Sequence, residues 1–452
     1  MAEAHMEQPL SGWGGMDPAA CTVFRPEKRR ALQELIRPRE TRTTIARGLG
    51  RSYGDTAVNA GGGVVNTTRL NRMIAFEPET GVLECEAGVS LAEIIEVFLP
   101  RGYFVPVTPG TKFVTVGGAI ANDVHGKNHH CDGTFCQFVE SFTLLLPSGE
   151  VLACSKTENE DVFWATAGGI GLTGFIVTAR IRLQPVESAF ISVDYTQCTD
   201  LDHALEAMAA TDGAHKYSVA WVDCLAKGAS LGRSVLMQGD HATQKQLPAA
   251  RKSRPFAVKR GLPKTVPFPC PEFVLNPASV AAFNKVFYAM HPTAIGKIVN
   301  YDSYFYPLDA IHHWNRLYGR KGFAQYQATL PFESKQGLVK ILERLSDSRR
   351  PSFLAVLKTF GEQNPGLLSH PMKGYTLTLD IPNHAGLVPF LHELDRILLE
   401  YNGRLYLAKD AVAKPETIAA MYPRLEAFQS IRKRLDPDGV LSSTMARRLG
   451  IA

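Results

Sequence analysis

The sequence lacks the features that mark membrane, secreted and nucleic-acid-binding proteins. No apolar run reaches the roughly 18 residues that a membrane-spanning helix needs, and no secretory signal is recognisable at its start. The net charge is only +5 over 452 residues, which does not indicate binding to nucleic acid. Eight cysteines are scattered without disulfide or metal-ligand spacing, so we expect reduced thiols and a cytoplasmic protein.

Two common nucleotide-binding motifs are also missing. Gly48-x-Gly50 lacks the third glycine of a Rossmann fingerprint, and no acidic residue ends a second strand at the expected distance. No Gly-Lys-Ser/Thr sequence completes a Walker motif. A cofactor with phosphates would have to be bound by another arrangement of backbone amides.

Three glycine-rich runs supply such an arrangement, and each lies beside apolar β-type sequence. They occupy residues 46–56, 109–126 and 168–174. Glycine permits positive φ, so runs of this kind can turn successive amides toward an anion. One run alone is typical of tight turns, but three together predict that the main chain wraps one extended phosphate-bearing cofactor.

Length and periodicity predict two domains and an α+β fold. Hairpins are predicted at 73–87 and 142–154, and a helix begins at the capping box of Ser90. Residues 323–406 alternate strands and helices, as expected for a sheet covered by helices on one face. The tail at 417–449 is predicted to be helical.

A basic segment interrupts the second half of the chain at 245–277. Its cations precede the first acid, Glu272, and five prolines lie between residues 255 and 271. This composition predicts a mobile loop. Two interpretations stay open, a solvated linker or a lid that contacts an anionic phosphate or membrane surface. The cations are Lys245, Arg251, Lys252, Arg254, Lys259, Arg260 and Lys264.

The densest polar cluster is the sequence His-Gly-Lys-Asn-His-His-Cys-Asp at 125–132. Histidine and cysteine are zinc ligands, but His129 and His130 are adjacent and should point apart, and no second pair has ligand spacing. We therefore predict no metal and place His125 against a cofactor ring.

Isolated polar residues in apolar strands indicate a pocket. Lys358 stands inside the apolar run 354–360, which predicts a lysine that faces inward over a pocket. Gln325 and Gln327 share one strand face at i, i+2 and could hold sugar hydroxyls. Lys409 follows a predicted strand, where an isolated lysine is ordinarily a surface charge.

The glycine runs, the histidine cluster and residues 163–166 form a pattern that extends from residue 10 to residue 449. This pattern resembles the vanillyl-alcohol oxidase superfamily of FAD enzymes and, within it, the polyprenylphosphoryl-ribose 2-oxidases. The resemblance implies an FAD-binding domain built from 1–187 and 404–452, with a sheet-plus-helices substrate domain inserted at 188–403.

Site residues follow from the same resemblance. The residues expected to bind FAD are Ala46, Arg47, Gly48, Leu49, Gly50, Arg51, Ser52, Tyr53, Gly54, Asp55, Thr56, Gly110, Thr115, Val116, Gly117, Gly118, Asn122, Asp123, Val124, His125, Ile176 and Tyr406. The expected catalytic residues are Lys409, Tyr53, His125, Lys358 and Gln327. The expected substrate-binding residues are Gln325, Gln327, Lys358, Thr376 and Thr378.

The implied reaction is hydride transfer from the ribose C2 of a lipid-linked pentose phosphate to FAD, which gives the 2'-keto sugar. It would be the first half of an epimerisation that makes the arabinose donor of cell-wall arabinan. A fixed cation at Lys409 would stabilise the reduced flavin. A partner NAD(P)H-dependent keto-reductase and peripheral contact with the inner membrane, on either face, are also implied.

Two other functions remain open at this point. One is a soluble sugar or alditol oxidase that uses O2 directly, and the other is a non-catalytic FAD-binding scaffold.

The sequence departs from the best-known members of the family at two positions. Thr378 stands where they have a cysteine, and Thr376 stands where they have an asparagine. Nitroaromatic inhibitors that react with that cysteine are therefore expected not to bond covalently here. Residues 47–56 contain no histidine or cysteine, with Arg51 near the usual tether position, so we predict dissociable FAD.

Overall fold

The computed structural model of the chain describes residues 5–36, 43–211, 213–258, 261 and 264–452. Its strands up to residue 187 are β1 (Met6–Leu10), β2 (Ala19–Phe24), β3 (Thr44–Arg47), β4 (Gly63–Asn66), β5 (Met73–Glu77), β6 (Val82–Glu86), β7 (Tyr103–Phe104), β8 (Val139–Leu145), β9 (Val151–Ser155), β10 (Phe175–Arg182) and β11 (Gln184–Pro185). The helices of this part are α1 (Arg29–Ile36), α2 (Leu91–Phe98), α3 (Val116–Ala121), α4 (His129–Asp132) and α5 (Glu160–Thr166).

These strands form two main sheets, in the orders β1-β2-β4-β3 and β5-β6-β10-β8-β9. Both predicted hairpins are confirmed as β5-β6 and β8-β9. The predicted capping box is confirmed as well, because Ser90 and Glu93 exchange side-chain and backbone hydrogen bonds at the start of α2.

The middle of the chain contains the largest sheet. Its strands and those nearby are β12 (Phe190–Cys198), β13 (Tyr217–Val222), β14 (Ser234–His241), β15 (Lys264–Thr265), β16 (Ala294–Asn300), β17 (Ile311–His312), β18 (Phe323–Leu330), β19 (Ala355–Phe360) and β20 (Gly374–Pro382). The helices are α6 (Leu201–Thr211), α7 (Ala249–Lys252), α8 (Pro277–Met290), α9 (Tyr301–Phe305), α10 (Lys335–Ser348) and α11 (Leu387–Glu400).

The C-terminal part contributes β21 (Arg404–Leu405), α12 (Pro415–Met421), α13 (Leu425–Leu435) and α14 (Thr444–Arg448). The helical tail is thus confirmed, whereas the β structure expected over 404–408 ends at Leu405 because the next residues turn. Strand β21 pairs with β18 in the central sheet. The division into 1–187, 188–403 and 404–452 stays a prediction.

The central sheet has the order β16-β12-β14-β13-β19-β20-β18-β21. Because side chains alternate along a strand, each strand has an apolar face and an opposite face. Leucines of α6, α10 and α11 pack with Leu357 and Leu377 on the apolar face, which confirms the sheet covered by helices on one face. On three adjacent strands, β19, β20 and β18, the opposite face carries polar residues, and it meets the N-terminal part.

The basic segment has little regular structure in its described residues. It contains α7 and the short strand β15, which pairs with β17. Lys259 and Arg260 lie outside the described residues, so the mobile loop stays a prediction. No helix in the part of the chain that the structure describes is long and apolar enough to cross a membrane.

Candidate active site

The first glycine run forms a loop whose backbone amides can bind an anion. Strand β3 ends at Arg47, and the N–H groups of residues 48–52 have no acceptor within the described residues. Gly50 has a φ of 64°, which lets the loop turn. The Arg47 guanidinium holds the loop in place, because it donates 2.9 Å hydrogen bonds to the carbonyls of Ser11 and Ala57. The loop is therefore a preformed anion-binding nest.

Arg51 lies on this loop with part of its guanidinium unpaired. Its Cζ is 3.9 Å from the centroid of the Trp13 ring, and its buried Nε has no partner in the described part of the chain. Burial lowers the pKa of Arg51, so a nearby anion would stabilise its charge. The buried Oδ1 of Asn122 likewise has no partner among the described residues. Unpaired buried polar atoms are uncommon, and these two fit a cofactor with phosphates and hydrogen-bonding rings.

The second glycine run lies directly against the first. Thr115 caps α3, and its Oγ1 accepts a 3.1 Å hydrogen bond from the N–H of Gly118. A side chain on Gly48 would come within 2.3 Å of that same hydroxyl, so the two runs can approach only because this residue is glycine. The two runs therefore form one continuous surface for an extended ligand.

Arg448 joins the first run to the segment that carries Lys409. Its guanidinium donates hydrogen bonds of 2.7 and 3.0 Å to Asp55 and one of 2.9 Å to Asp410. Gly54 allows this junction, since a Cβ there would lie 1.8 Å from the carbonyl oxygen of Asp410. The Asp55 carboxylate is thereby engaged by Arg448, and the C-terminal helix α14 becomes part of the site.

The polar face of β18, β19 and β20 forms the second half of the site. Lys358 Nζ lies 3.4 Å from His125 Nδ1, and Gln327 Nε2 lies 2.9 Å from His125 Nε2. Gln327 also donates a 3.3 Å hydrogen bond to the hydroxyl of Thr376. The His125 ring packs edge-on against Phe360 at 4.7 Å. Side chains that are far apart in the sequence thus form one connected polar group. The catalytic roles expected for His125, Gln327 and Lys358 stay predictions.

A second polar group adjoins the first on the same sheet face. The Nζ of Lys409 lies 4.1 Å from the centroid of the Tyr53 ring, so a residue of the first glycine run contacts the predicted catalytic lysine. Gln325 donates a hydrogen bond to Oδ1 of Asp380, its partner across β18 and β20. The other carboxylate oxygen of Asp380 is buried and has no partner among the described residues.

Burial brings several titrations in this site close to neutral pH. It lowers the pKa of Lys409 to about 7 and that of Lys358 to about 8, and it raises the pKa of Asp380 to about 7. Burial and the charge of Lys358 hold the pKa of His125 well below its usual range, so this imidazole is neutral. The site can therefore take up and release protons near neutral pH, which is typical of catalytic centres.

Comparison with known proteins identifies the family. The FAD binding domain family matches residues 20–155, and the D-arabinono-1,4-lactone oxidase family matches residues 378–449. The chain is 40% identical over 445 residues to the decaprenylphosphoryl-beta-D-ribose oxidase of Mycolicibacterium smegmatis, with 97% of each chain covered. The chain belongs to the decaprenylphosphoryl-β-D-ribose oxidase family.

Two further relatives are similar to parts of this chain. A Streptomyces coelicolor protein, described as an uncharacterized protein in the mprA 5' region, is 35% identical over 372 residues, which cover 80% of this chain and all of that one. The D-arabinono-1,4-lactone oxidase of Yarrowia lipolytica is 29% identical over 168 residues, or 36% of this chain and 32% of that one.

Membership of the decaprenylphosphoryl-β-D-ribose oxidase family confirms three predictions. The chain is an FAD-dependent oxidoreductase, its cofactor is FAD, and its fold is the two-domain α+β fold of the vanillyl-alcohol oxidase type. The unpaired amides of the first run, Arg51 and Asn122 fit that dinucleotide. Dissociable attachment stays a prediction.

The other predicted FAD residues lie around the same surface. Tyr406 follows β21, and its hydroxyl donates a 2.7 Å hydrogen bond to the carbonyl of Asn122. Ile176 is at an irregularity in β10, and Gly110 is exposed in the loop before α3. Three further residues, Val116, Asp123 and Val124, are buried and lie behind this surface.

Thr376 and Thr378 both lie on the polar face of β20. They pair across the sheet with Thr329 and Gln327. This position is consistent with the predicted substrate contacts, which stay predictions.

The adjacent histidines His129 and His130 point apart as expected. His129 accepts a hydrogen bond from the N–H of Gly361, whereas His130 contacts the carbonyl of His215.

Sequence reasoning missed Asp380, Arg448 and His370 as members of the site. The His370 ring stacks on that of Tyr406, with centroids 4.8 Å apart. A signal for Asp380 was present, because Thr376, Thr378 and Asp380 alternate on one strand face. Arg448 and His370 had no comparable signal.

Within the described ranges, no group of three or more histidine, cysteine, aspartate or glutamate side chains could hold a metal ion.

Proposed function

We propose that this chain oxidises the 2'-hydroxyl of a polyprenylphosphoryl-β-D-ribose to the 2'-keto sugar. The observation that carries the proposal is the juxtaposition of the Gln327–His125–Lys358 group with the Lys409–Tyr53 pair on one sheet face beside the FAD surface. The name of the Mycolicibacterium smegmatis relative supports this substrate class.

Each side chain of the site has a role that its surroundings support. Bound FAD supplies a hydride acceptor. Lys409 would provide the cation that stabilises the reduced cofactor, and Tyr53 holds that ammonium in place. Gln325 and Gln327 present amide groups for the sugar hydroxyls. Neutral His125 is placed to accept the proton that leaves the oxidised hydroxyl, and the Lys358 ammonium contacts its ring.

The test is anaerobic bleaching of the flavin absorbance by a farnesylphosphoryl-β-D-ribose. Bleaching is expected with this compound and not with its 2-deoxy analogue, which lacks the hydroxyl that is oxidised. No bleaching by the ribose compound would contradict the proposal. Turnover of free polyols with formation of hydrogen peroxide would instead support a soluble alditol oxidase.

We also propose that a separate NAD(P)H-dependent keto-reductase consumes the product, so that the two enzymes epimerise ribose to the arabinose donor. A 2'-keto sugar is returned to an alcohol only by a reductant, and reduction from the opposite face inverts the carbon. Adding such a reductase to the assay should convert the ribose lipid to the arabinose lipid. Formation of ribose lipid alone would exclude the inversion.

A peripheral membrane contact is the third part of the proposal. Five large apolar side chains are more than half exposed around α8 and β16: Phe268, Phe273, Val286, Met290 and Ile295. Exposed lysines and arginines of the basic segment lie in the same stretch of chain, together with Lys285 and Lys297. Apolar side chains among cations suit the surface of an anionic bilayer.

Vesicle flotation tests this contact. The protein should float with vesicles that contain phosphatidylglycerol and much less with pure phosphatidylcholine. Ser substitution of both Phe273 and Ile295 should weaken flotation, whereas Ile74→Ser, which changes an exposed residue of β5, should not. Equal flotation of all three proteins would contradict this surface.

A further inference from the structure

Lys127 is a cation beside the active site that the proposed chemistry does not use. Its Nζ donates a hydrogen bond to the carbonyl of Tyr304 and lies 4.0 Å from the centroid of the same residue's ring. Its own carbonyl accepts a 2.8 Å hydrogen bond from the N–H of Ser218 in β13. The side chain is therefore fixed between the histidine cluster and helix α9, with donor capacity left on its ammonium.

Lys127 differs from its neighbour Lys216 in having no acidic partner. Within the described residues no carboxylate lies within ion-pair distance of the Lys127 ammonium, whereas Lys216 contacts Asp132 at 3.1 Å and Gln184 at 2.6 Å. Burial, with a smaller effect from the charge of Lys358, lowers the pKa of Lys127 to about 7. A half-buried ammonium without a counter-charge is costly unless an anion pairs with it.

Lys358 is the second cation of this region. It lies on β19, whose residue Leu357 pairs with Ala220 of β13, the strand to which the main chain of Lys127 is bonded. The Lys358 ammonium also has no carboxylate partner in the described part of the chain. It lies 3.4 Å from His125 Nδ1 and 5.7 Å from the centroid of the Phe360 ring. The two lysines therefore belong to one region of the structure, because β19, which carries Lys358, pairs with β13, to which the main chain of Lys127 is bonded.

We propose that Lys127 and Lys358 together bind the phosphate of the lipid-linked pentose. The inference rests on the proposed function and adds which residues recognise the anionic part of that substrate. In such a substrate the phosphate is attached to the sugar carbon next to the one that is oxidised. A phosphate site must therefore adjoin the oxidation site, and Lys358 borders both through its contact with His125. The single negative charge of a phosphodiester would provide the missing counter-charge, and its oxygens would accept from the unused ammonium donors.

The wild-type holoenzyme provides the first test. Farnesyl phosphate should compete with the substrate, whereas farnesol, which has the same chain without the phosphate, should compete at least about tenfold more weakly, as expected for a charge-assisted hydrogen bond. Equal inhibition by the two compounds would overturn the proposal. This test uses only the wild-type protein, so it does not depend on the folding of a variant.

The second test compares Lys127→Met with Lys216→Met, a neighbouring lysine that already has an acidic partner. Lys127→Met should raise the KM for farnesylphosphoryl ribose about 10- to 100-fold, by loss of a charge-assisted contact, and should abolish the advantage of farnesyl phosphate over farnesol. Lys127→Arg should restore most of that advantage, because the charge is kept. Lys216→Met should leave both values close to wild type, with FAD content and melting temperature measured for every variant.

The outcomes separate this inference from the proposed function. If the wild type does not oxidise farnesylphosphoryl ribose, the proposed function fails. If it does so and Lys127→Met has an unchanged KM and an unchanged preference for farnesyl phosphate, the function stands and the phosphate site at Lys127 is wrong.

Discussion

Removing the Arg448 guanidinium should both destabilise the protein and weaken FAD binding. Arg448 donates to Asp55 in the first glycine run and to Asp410 beside Lys409, and it also donates a 2.7 Å hydrogen bond to the carbonyl of Ala413. In Arg448→Met two acidic side chains would face each other without a cation. The loop that presents the anion-binding amides would then lose its fixed position relative to Lys409.

The expected magnitude follows from burial. Breaking a buried ion pair by removing one partner costs about 3–5 kcal/mol of unfolding free energy. The Arg448 and Asp55 side chains are 24% and 20% exposed and Asp410 only 5%, so solvent screens part of the interaction. We therefore expect a loss of about 3 kcal/mol, at the lower end of that range.

Urea unfolding of the holoenzyme, followed by flavin fluorescence and circular dichroism, measures this loss. Arg182→Met is the matched control, because Arg182 pairs with Glu140 at an exposed site and should cost at most about 1 kcal/mol. Asp55→Asn in the Arg448→Met background should recover part of the stability, since it removes one of the unpaired charges. A loss in Arg448→Met no larger than that in Arg182→Met would refute the reasoning.

The sign of the pH dependence gives a further check. Burial already raises the pKa of Asp55, while the hydrogen bond from Arg448 lowers it. Without Arg448 the folded state would hold a proton on this carboxyl that the unfolded state releases above its ordinary pKa. The stability of Arg448→Met should therefore fall as the pH rises from 5 to 8, relative to wild type. A deficit that does not change with pH would contradict a buried unpaired carboxylate.

Three other predictions concern residues of the candidate active site. Lys409→Met should lower the rate of flavin reduction by substrate about 100-fold or more, as for loss of a fixed catalytic charge, while FAD stays bound. Lys414→Met, at an exposed lysine, should leave this rate unchanged. Equal rates of flavin bleaching in the two variants, measured by stopped flow, would contradict the role of Lys409. Because the pKa of Lys409 is about 7, wild-type kcat/KM should fall above that pH. Lys409→Arg should move this fall to higher pH, because the guanidinium keeps its charge. With the sugar substrate present, Thr378→Cys should form a covalent adduct with nitroaromatic inhibitors of the family, because the reduced flavin can convert the nitro group to a nitroso group, to which a thiol adds. Intact-protein mass spectrometry should detect this adduct in Thr378→Cys and not in the wild type or in Thr376→Cys, its neighbour on the same strand face.

Local sequence patterns predicted much of this fold, because they depend on contacts between close neighbours. The capping box at Ser90 and the hairpins β5-β6 and β8-β9 are set by residues within a few positions of one another. The alternation along β18 predicted that Gln325 and Gln327 share a face. The predicted strand over 404–408 was three residues too long, because the chain turns after Leu405 and brings Lys409 to Tyr53.

Part of the site depends on contacts that no local pattern encodes. The contact between His125 and Lys358 joins residues 233 positions apart, and that between Asp55 and Arg448 joins residues 393 positions apart. The buried surroundings that shift the pKa of Lys358, Lys409 and Asp380 toward neutrality also come from several strands at once.

The sequence by itself determined the glycine runs, the strand faces and the family, since glycine conformations and side-chain alternation are properties of the local chain. Only the tertiary structure decided which charges meet. The structure places the Arg51 guanidinium against the Trp13 ring and pairs the Asp55 carboxylate with Arg448, contacts that the sequence did not predict. The roles of Arg51 and Asp55 in binding FAD stay predictions. Lys127 is left without a carboxylate in the described structure because the folding of β13 and α9 around it brings carbonyl and aromatic groups, and no acid, to its ammonium.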